Sequence, residues 1–422
     1  MAFIRRPIDR EPHTSADAIL ALDIGTEFVK AVIAKKTKSG KLDIIGVGKA
    51  HQEPSNMHAG AIADIEGVVG SCEKALTVAE RTAGITAKAT VIGIAGELVK
   101  GSTANVHYRR ENGNKPITEQ EMDVIMEKVQ KQAEASAKKE IALETSNDNV
   151  EIRLINSAIV SLEIDGYRIS NPIGFKGSDV TIQFYTAFAP LVHISAIEKV
   201  CAELNLDLLA VAVEPFAVCR ACLGDDVTNN FSGIVMDIGG GTTDIAVVDD
   251  GGVEGTKMFS IGGRSFTRQI MESLGTDFAT AEKYKLSLEY GKLEDDLRAR
   301  IESALTRNLS VWLTGVIVAL EDFSNTEVFP PRILLCGGGA NLSLLQEELA
   351  LKDWYKDLPF SRRPVIELID IENIPDITNS TDAKLDCSYI TALGLLRVGS
   401  DTMTASPEDR SIKGKLAKLL QN

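Results

Sequence analysis

Two Asp-Ile-Gly turns, at Asp23 and Asp237, are the parts of this chain best suited to chemistry. Each follows one apolar run and precedes another, which predicts a strand, a tight turn and a second strand in both places. Glycine has no Cβ, so such a turn can bring backbone N–H groups directly against phosphate oxygens. The residues that we predict to contact phosphate are Gly25, Thr26, Gly239, Gly240, Gly241, Thr242 and Thr243.

The two aspartates end the first strand of each pair, and a carboxylate cannot itself bind phosphate. We predict that Asp23 and Asp237 hold Mg2+, mostly through its water ligands. Two such turns facing each other across a cleft would clamp a triphosphate by positioning and charge neutralisation. An ordinary glycine turn would explain a lone Asp-Ile-Gly-Thr, but the longer DIGGGTTD is more specific. Its recurrence also predicts two similarly built halves.

A third glycine-rich segment, CGGGAN, follows an apolar strand and precedes a helix predicted over 344–351. Its backbone could approach a flat adenine ring closely, because glycine leaves the ring face unobstructed. A plain strand-to-helix turn is the alternative. The residues predicted to contact the nucleotide here are Gly337, Gly338, Gly339 and Ala340.

The bulk composition limits the kinds of partner. At 422 residues the chain is too long for one ordinary core, so two or more domains are expected. Its formal net charge of -15 argues against nucleic acid as a partner. No apolar run approaches the length of a membrane-spanning helix. The six cysteines are expected to be reduced, buried and structural, although Cys219 and Cys222 have the spacing of a metal or redox pair.

The last residues form a basic segment on an acidic protein. Four apolar residues fall on one face of a predicted helix and basic residues flank them, which is typical of an interfacial membrane anchor. One such tail is a weak anchor, but many tails bound at once would bind strongly through avidity. The alternatives are packing on the protein itself or fraying. The predicted membrane contacts are Ile412, Lys413, Lys415, Leu416, Lys418, Leu419 and Leu420.

The segments DIGTEFVK, DIGGGTTD and GGGAN resemble the two phosphate motifs and the adenosine motif of the actin, heat-shock-chaperone and sugar-kinase superfamily. VEPFA and YITALGLL resemble its two connecting helices, so the resemblance covers about 19–398. It implies an α/β fold of two duplicated ribonuclease-H-like domains that binds ATP and Mg2+. It also implies that Glu214 faces the cleft and acts with Asp23 in catalysis. Lys30 would reach the phosphates, and Glu282 and Lys285 would contact ribose and adenine.

A polar segment over 98–180 identifies the branch of the superfamily. It follows VIGIAG, contains a charged helix over 118–140 that Thr118 and Glu121 open as a capping box, and reads as an inserted α+β subdomain. Its placement and its NPIGFKG turn resemble the FtsA family of bacterial actin-like division proteins, which carry a 1C subdomain there. A long Lys/Glu/Ala-rich helix and the loop ETSNDNVE depart from that pattern.

The FtsA resemblance implies a filament-forming protein that tethers the FtsZ ring to the cytoplasmic membrane. Its expected partners are the FtsZ C-terminal tail, other copies of the chain and an anionic membrane surface. It would be peripheral, on the cytoplasmic face at the division site, and at most a slow Mg-ATPase whose turnover switches assembly. The FtsZ tail is expected to bind the segment at about 249–310, which corresponds to subdomain 2B of that family.

The same resemblance implies the division into subdomains. It predicts a flexible leader at 1–17, subdomain 1A at 18–97, 181–210 and 385–399, and subdomain 1C at 98–180. Subdomain 2A is expected at 211–248 and 311–384, subdomain 2B at 249–310, a linker at 400–409 and an amphipathic helix at 410–422.

Two other functions remain open. One is a PilM-like pilus-assembly ATPase that docks a peptide from a membrane partner. The other is an ATPase or kinase of the same superfamily. A kinase would need a base over a substrate pocket, and the sequence offers no carboxylate beyond those that the nucleotide explains. A chaperone would need a separate β-rich substrate domain after the ATPase.

Overall fold

The structure is a computed structural model that describes part of the chain. The described residues are 17–95, 99–169, 171–223, 231–291, 293–323 and 326–404. The predicted leader, except its last residue, and the predicted amphipathic tail lie outside the described residues.

The described part of the chain contains both strands and α-helices. The strands, in chain order, are β1 (Ala18–Ile24), β2 (Phe28–Lys36), β3 (Leu42–His51), β4 (Met57–His58), β5 (Ala61–Ile62), β6 (Ala89–Ile94), β7 (Lys100–Arg109), β8 (Ile152–Ile164), β9 (Tyr167–Arg168), β10 (Asp179–Pro190), β11 (Asp207–Val213), β12 (Gly233–Ile238), β13 (Thr243–Asp249), β14 (Gly252–Phe259), β15 (Arg332–Cys336), β16 (Val365–Leu368) and β17 (Ile377–Asn379). The α-helices are α1 (Ile65–Ala83), α2 (Glu119–Thr145), α3 (Leu191–Glu203), α4 (Glu214–Leu223), α5 (Gly263–Leu274), α6 (Phe278–Tyr290), α7 (Asp295–Glu321), α8 (Ser343–Leu351) and α9 (Ile390–Thr404).

The predicted duplication is confirmed by the strand order of two sheets. In the first half, β3, β2 and β1 form an antiparallel meander, and β6 and β11 add parallel to it. In the second half, β14, β13 and β12 form the same meander, and β15 and β16 add parallel to it. Strands β1 and β12 are buried along their whole length, because helices cover both faces of each sheet. Two large hydrophobic cores result. The second core lies within the second half, whereas the first core also includes Val235, Ala246 and Leu334 of the second-half sheet.

The inserted segment forms a third unit of β7, β8, β9, β10 and α2. Its small core places Met122, Ile125 and Met126 of α2 against Ile182 and Phe184 of β10. The Thr118 hydroxyl accepts the N–H of Glu121, which confirms Thr118 as the N-cap. The Glu121 carboxylate accepts from Arg110, so only the Thr118 half of the predicted capping box is seen. The helix runs on to Thr145, past its predicted end. The α+β insertion therefore folds around apolar residues of its own.

The insertion is continuous with the sheet of the second half. Strand β7 pairs with β14 through Gly101 and Ser102, so one sheet of nine strands runs through both units. The Thr103 hydroxyl donates to the carbonyl of Val253, which strengthens this junction in the buried interior. The sequence did not predict that the insertion and the second half share a sheet.

Several predicted boundaries differ from the secondary structure. Strand β10 was expected to return to the first half, but it pairs along its length with β7 and β8, while its last residues pack into the first core. The predicted limit of 2B at 310 falls inside α7. Helix α9 runs to Thr404, into the predicted linker. The assignment of these segments to named subdomains stays a prediction.

Helix α7 corrects the expectation that no segment is long and apolar enough to cross a membrane. By length and composition alone, this helix meets that criterion among the described residues. The helix of a protein core meets it too, and one face of α7, with Leu305, Leu309, Trp312 and Val316, is buried in the second core. The helix is apolar because it packs inside the protein, so its composition is weak evidence for a membrane span.

The cysteines are confirmed as free thiols that serve in packing. All six are unbonded, and five are buried. Burial raises the pKa of the Cys219 thiol well above its usual range and that of Cys222 to about 12. Thiols with raised pKa values carry little thiolate and are poor nucleophiles.

Two glycines of β3 let α1 lie unusually close to the sheet. A Cβ on Gly48 would lie 1.9 Å from the carbonyl oxygen of Ala75, and one on Gly46 would lie 2.3 Å from that of Ala79. Both neighbours are backbone atoms of α1, so neither can rotate away. The packing of α1 on the first sheet therefore depends on glycine at these positions.

We predict that Gly48→Ala lowers the free energy of unfolding by about 1–3 kcal/mol, because the new methyl group must push α1 off the sheet. Gly70→Ala is the matched control, since a Cβ there meets nothing within 4 Å. This second change should stabilise the protein by about 0.5–1 kcal/mol through helix propensity. Denaturant titration measures both. Equal effects of the two changes would contradict the proposed close packing.

Candidate nucleotide site

A cavity of about 450 Å³ lies between the two halves. Both Asp-Ile-Gly turns line it, and so does the third glycine-rich segment. Such a volume suits a nucleotide-sized ligand. The three segments singled out in the sequence therefore converge on one cavity, although they are far apart along the chain.

The two turns are built alike and touch each other. The N–H of Gly25 donates to the carbonyl of Phe28, and that of Gly239 donates to the carbonyl of Thr242. A Cβ on Gly240 would lie 2.8 Å from the Cβ of Glu27. Glycine at that position thus permits the direct approach of one turn to the other at the base of the cleft.

Four carboxyl groups meet at the base of the cavity: Asp23, Glu214, Asp237 and Asp244. Burial is the main cause that raises the pKa of Glu214, Asp237 and Asp244, and the neighbouring carboxyl groups raise it further. The pKa of Asp244 reaches about 8, although the Thr242 hydroxyl donates to this carboxyl and opposes the shift. The site is therefore under electrostatic strain when its carboxyl groups are ionised.

Lys30 is the cation in contact with this cluster. Its Nζ lies 2.8 Å from Oδ2 of Asp23, on the neighbouring strand. Burial lowers the pKa of Lys30, but the attraction and hydrogen bond of Asp23 outweigh it, and the pKa is raised overall. The ammonium group therefore stays charged and neutralises one of the four carboxylates.

The remaining negative charge fits a divalent cation. Carboxylates whose pKa values are raised by mutual repulsion gain from a nearby positive charge, and oxygen ligands suit Mg2+. Among the described residues, no three acidic, histidine or cysteine side chains are arranged to ligate a metal directly.

The opposite end of the cavity has apolar walls and a polar network. Phe266, Leu286 and Leu342 line it. Lys285 bonds to Glu282 at 2.8 Å and to the carbonyl of Gly263 at 3.1 Å, which fixes both predicted nucleoside contacts beside α5. These surfaces suit the flat face and the polar edge of a nucleoside.

The third glycine segment forms the wall between that end and the carboxyl cluster. Gly337 has a φ of 85°, and a Cβ on it would lie 2.2 Å from Oδ1 of Asp237. Only glycine adopts this conformation freely and leaves room for the aspartate. Gly338 faces open space, and Gly339 lines the cavity.

The structure brings most of the predicted nucleotide contacts to the cavity, but not all of them. Thr243 is fully buried, where its hydroxyl donates to Ile261 and accepts from the Trp312 indole. Ala340 is fully buried in the second core. Neither lines the cavity. Successive side chains of a strand point to opposite faces, and Thr243 of β13 points away from the cleft. Ala340 belongs to a short 3-10 helix, Gly338–Asn341, whose buried residue it is. Gly241 contacts Thr26 rather than the open cavity. The predicted membrane contacts lie outside the described residues.

Other lining residues escaped the sequence analysis. The Thr391 hydroxyl donates to Asp237, and Asp244 joins the carboxyl cluster. Both lie in quoted motifs, YITALGLL and DIGGGTTD, which is the signal that could have found them. Glu27 and Arg264 form an ion pair at the cavity, and no sequence signal links residues so far apart.

Comparison with known proteins shows which proteins this chain resembles in sequence. A sequence model of the family described as "Cell division protein FtsA" matches residues 234–347, which include the second turn and α5 to α7. Cell division protein FtsA from Pseudomonas aeruginosa is 26% identical over 274 residues, which are 64% of this chain and 61% of that protein. The predicted resemblance to FtsA is confirmed. FtsA from Agrobacterium fabrum is 24% identical over 366 residues, which are 78% of this chain and 77% of that protein.

The fold is confirmed by a solved structure. A chain of the PilM-PilN type IV pilus biogenesis complex matches with a TM-score of 0.65 at 16% identity, over 90% of this chain and 98% of that one. The chain has the predicted actin-like two-domain α/β fold. At this identity the likeness to PilM concerns the fold alone.

The match to the Pseudomonas FtsA covers less than two thirds of that protein's length.

We predict that Asp244→Asn raises the unfolding temperature of the nucleotide-free protein in EDTA, by roughly 2 °C or more near pH 8. The folded-state pKa lies above the unfolded one, so wild-type stability falls as the pH rises through this window towards about 8. The asparagine variant lacks this loss, and its advantage should grow from about pH 5 to about pH 8.

The matched control is Asp353→Asn. Hydrogen bonding to Lys356 lowers the pKa of this exposed carboxyl, so its stabilising contribution is already complete above about pH 5. Its effect on the unfolding temperature should therefore stay constant across the same window. A pH-independent effect of Asp244→Asn would contradict the electrostatic account of the cluster.

Proposed function

We propose that this protein is an ATP-binding, actin-like division protein that assembles at the cytoplasmic membrane and tethers FtsZ there. The observation that carries the nucleotide part is the meeting of two glycine turns over four buried carboxyl groups in one interdomain cavity. The division part is supported by the sequence similarity to FtsA.

The roles of the residues follow from their positions. The phosphates would lie against the backbone of the two turns, near Gly25, Gly239 and Gly240, and the Thr26 hydroxyl would add a donor. The Thr242 hydroxyl would donate to phosphate only after turning away from Asp244. Asp23 and Asp237 would hold a hydrated Mg2+, and this ion would supply positive charge that offsets the phosphate charge. The nucleoside lies between the third glycine segment and α6, where Glu282 and Lys285 contact its polar edge.

Hydrolysis in this site would be slow and would act as a switch. Glu214 and Asp23 are the groups proposed to orient water near the terminal phosphate. Burial and three neighbouring carboxyl groups raise the pKa of Glu214, which favours the protonated form of this group in the nucleotide-free protein. A cation bound among these groups would lower that pKa and make the carboxylate available.

We predict that Asp237→Ala weakens Mg-ATP binding at least about tenfold, because the clamp loses a carboxylate that anchors the hydrated ion. Isothermal titration calorimetry measures the affinity. Asp148→Ala, in an exposed loop of the insertion, is the control and should bind as the wild type does. Normal affinity of the Asp237 variant would count against the two-turn clamp.

The assembly role is proposed from the charge distribution and from the FtsA similarity. The chain is acidic overall, so a negatively charged membrane would repel most of its surface. The segment 410–422 carries lysines among its leucines, and each lysine near an anionic surface contributes about 1 kcal/mol. Polymerisation would multiply this weak binding, so membrane attachment and self-assembly would be coupled.

We predict that the full-length protein with ATP brings FtsZ down with anionic liposomes in a co-pelleting assay. Removal of residues 410–422 should abolish pelleting of both proteins, because the basic apolar segment is lost. The truncated protein should still bind a peptide of the FtsZ C-terminal tail in solution. If truncation leaves the pelleting unchanged, the membrane anchor is refuted. If neither the full-length nor the truncated protein binds the peptide, the FtsZ tether is refuted.

A pilus-assembly role is the second candidate, because PilM shares the fold over nearly its whole length. That likeness concerns the fold alone and does not favour this role over division. The same assay separates the two, since a PilM-like protein would bind a peptide of another membrane partner and would ignore the FtsZ tail.

A further inference from the structure

One ion pair joins the two halves of the protein at the nucleotide cavity. Nε of Arg264 lies 2.6 Å from Oε2 of Glu27, and the two residues are 237 positions apart. Glu27 belongs to the first Asp-Ile-Gly turn, and Arg264 belongs to the first turn of α5. Both side chains line the cavity. The contact therefore spans the cleft and does not belong to either half alone.

The first half holds Glu27 in place. Its backbone carbonyl accepts the N–H of Gln52, and its Oε1 lies 2.9 Å from Nε2 of His51. Both partners are at the end of β3 and just beyond it. The carboxylate is thus fixed by the same three-stranded meander that carries the first phosphate turn.

The second half holds Arg264 equally firmly. Its N–H donates to the carbonyl of Gly240 at 2.7 Å, and the N–H of Gly263 donates to that of Gly239 at 2.9 Å. The backbone of Arg264 is therefore held by hydrogen bonds to the second phosphate turn. A movement of either turn would be transmitted to the ion pair through these backbone bonds.

The environment of the pair makes it stronger than a surface contact. The side chain of Arg264 is 10% exposed and that of Glu27 is 20% exposed. Charges so shielded from water attract each other more strongly and are screened less by salt. Separating the halves would leave two charges without their partner, which is unfavourable.

We propose that Glu27 and Arg264 form a latch that holds the two halves closed over the phosphate end of the cavity and so limits the rate of nucleotide exchange. The exchange part rests on the proposed ATP binding. Entry or release of a triphosphate requires the two turns to separate, and this pair must break when they do. The two residues are positioning residues, because they act through the turns to which they are attached.

The latch differs from a direct phosphate contact in its kinetic signature. Loss of a latch frees the cleft to open, so both the association and the dissociation rate constants of the nucleotide rise. Loss of a direct contact to phosphate raises the dissociation rate constant and leaves association largely unchanged. Rates in both directions therefore separate the two roles.

The test uses Glu27→Gln, Arg264→Gln and the double variant of the full chain. Stopped-flow mixing with a fluorescent N-methylanthraniloyl derivative of ATP gives both rate constants. Each single variant should raise both by roughly tenfold, and the double variant should add little, because either change already breaks the pair. Glu27→Asp keeps the carboxylate charge, so its nucleotide-exchange rate should lie between that of the wild type and that of Glu27→Gln. Glu367→Gln is the control, since its ion pair with Arg332 lies within the second half, and both rates should match the wild type.

Small-angle X-ray scattering of the nucleotide-free protein tests the latch without reference to ATP. The two single variants should have a larger radius of gyration than the wild type and the Glu367→Gln control. A radius unchanged in both variants would overturn the latch, as would faster dissociation with unchanged association. Failure of the wild type to bind the fluorescent nucleotide would overturn the proposed ATP binding, while the scattering result would still decide whether the pair holds the halves together.

Discussion

The burial of four neighbouring carboxyl groups at the joint between the two halves is the constraint on which the rest of the site depends. Asp23, Glu214, Asp237 and Asp244 come from both halves and from a connecting helix, so closing the cleft forces them together. Lys30 compensates for only one of them. A folded protein retains such a cluster at the expense of stability, and the usual reason is function. A cation bound among these carboxyl groups would therefore stabilise the closed arrangement.

The fold supplies the rigid frame that this cluster requires. Each aspartate ends a completely buried strand that has a hairpin partner on one side and a parallel neighbour on the other. The turns therefore cannot drift apart within their own halves. What remains adjustable is the angle between the halves, which the insertion also affects because β7 joins the sheet of the second half at β14. Any opening of the cleft must either bend that junction or carry the insertion with the second half.

Much of this architecture could be predicted from the sequence because the signals were local. Apolar runs on both sides of each Asp-Ile-Gly turn, and a threonine cap before α2, are patterns within a few residues. The pairing of β10 with the insertion, the β7–β14 junction and the ion pair of Glu27 with Arg264 are contacts between distant segments. No local pattern encodes them. The prediction that Thr243 contacts phosphate failed for a related reason. A threonine hydroxyl can bind phosphate, but the position of Thr243 in its strand points this hydroxyl towards Trp312.

The cross-cleft contacts also bear on what the site does with a nucleotide. An enzyme built for rapid turnover must open and close often, and product release sets the rate of many such enzymes. Here the closed cleft is held by a shielded ion pair and by touching glycine turns. If these contacts slow opening, as we propose for the ion pair, a bound nucleotide would stay in the site long enough for a partner to respond to it. Slow exchange of this kind would suit the proposed switch of assembly better than a catalyst with rapid turnover.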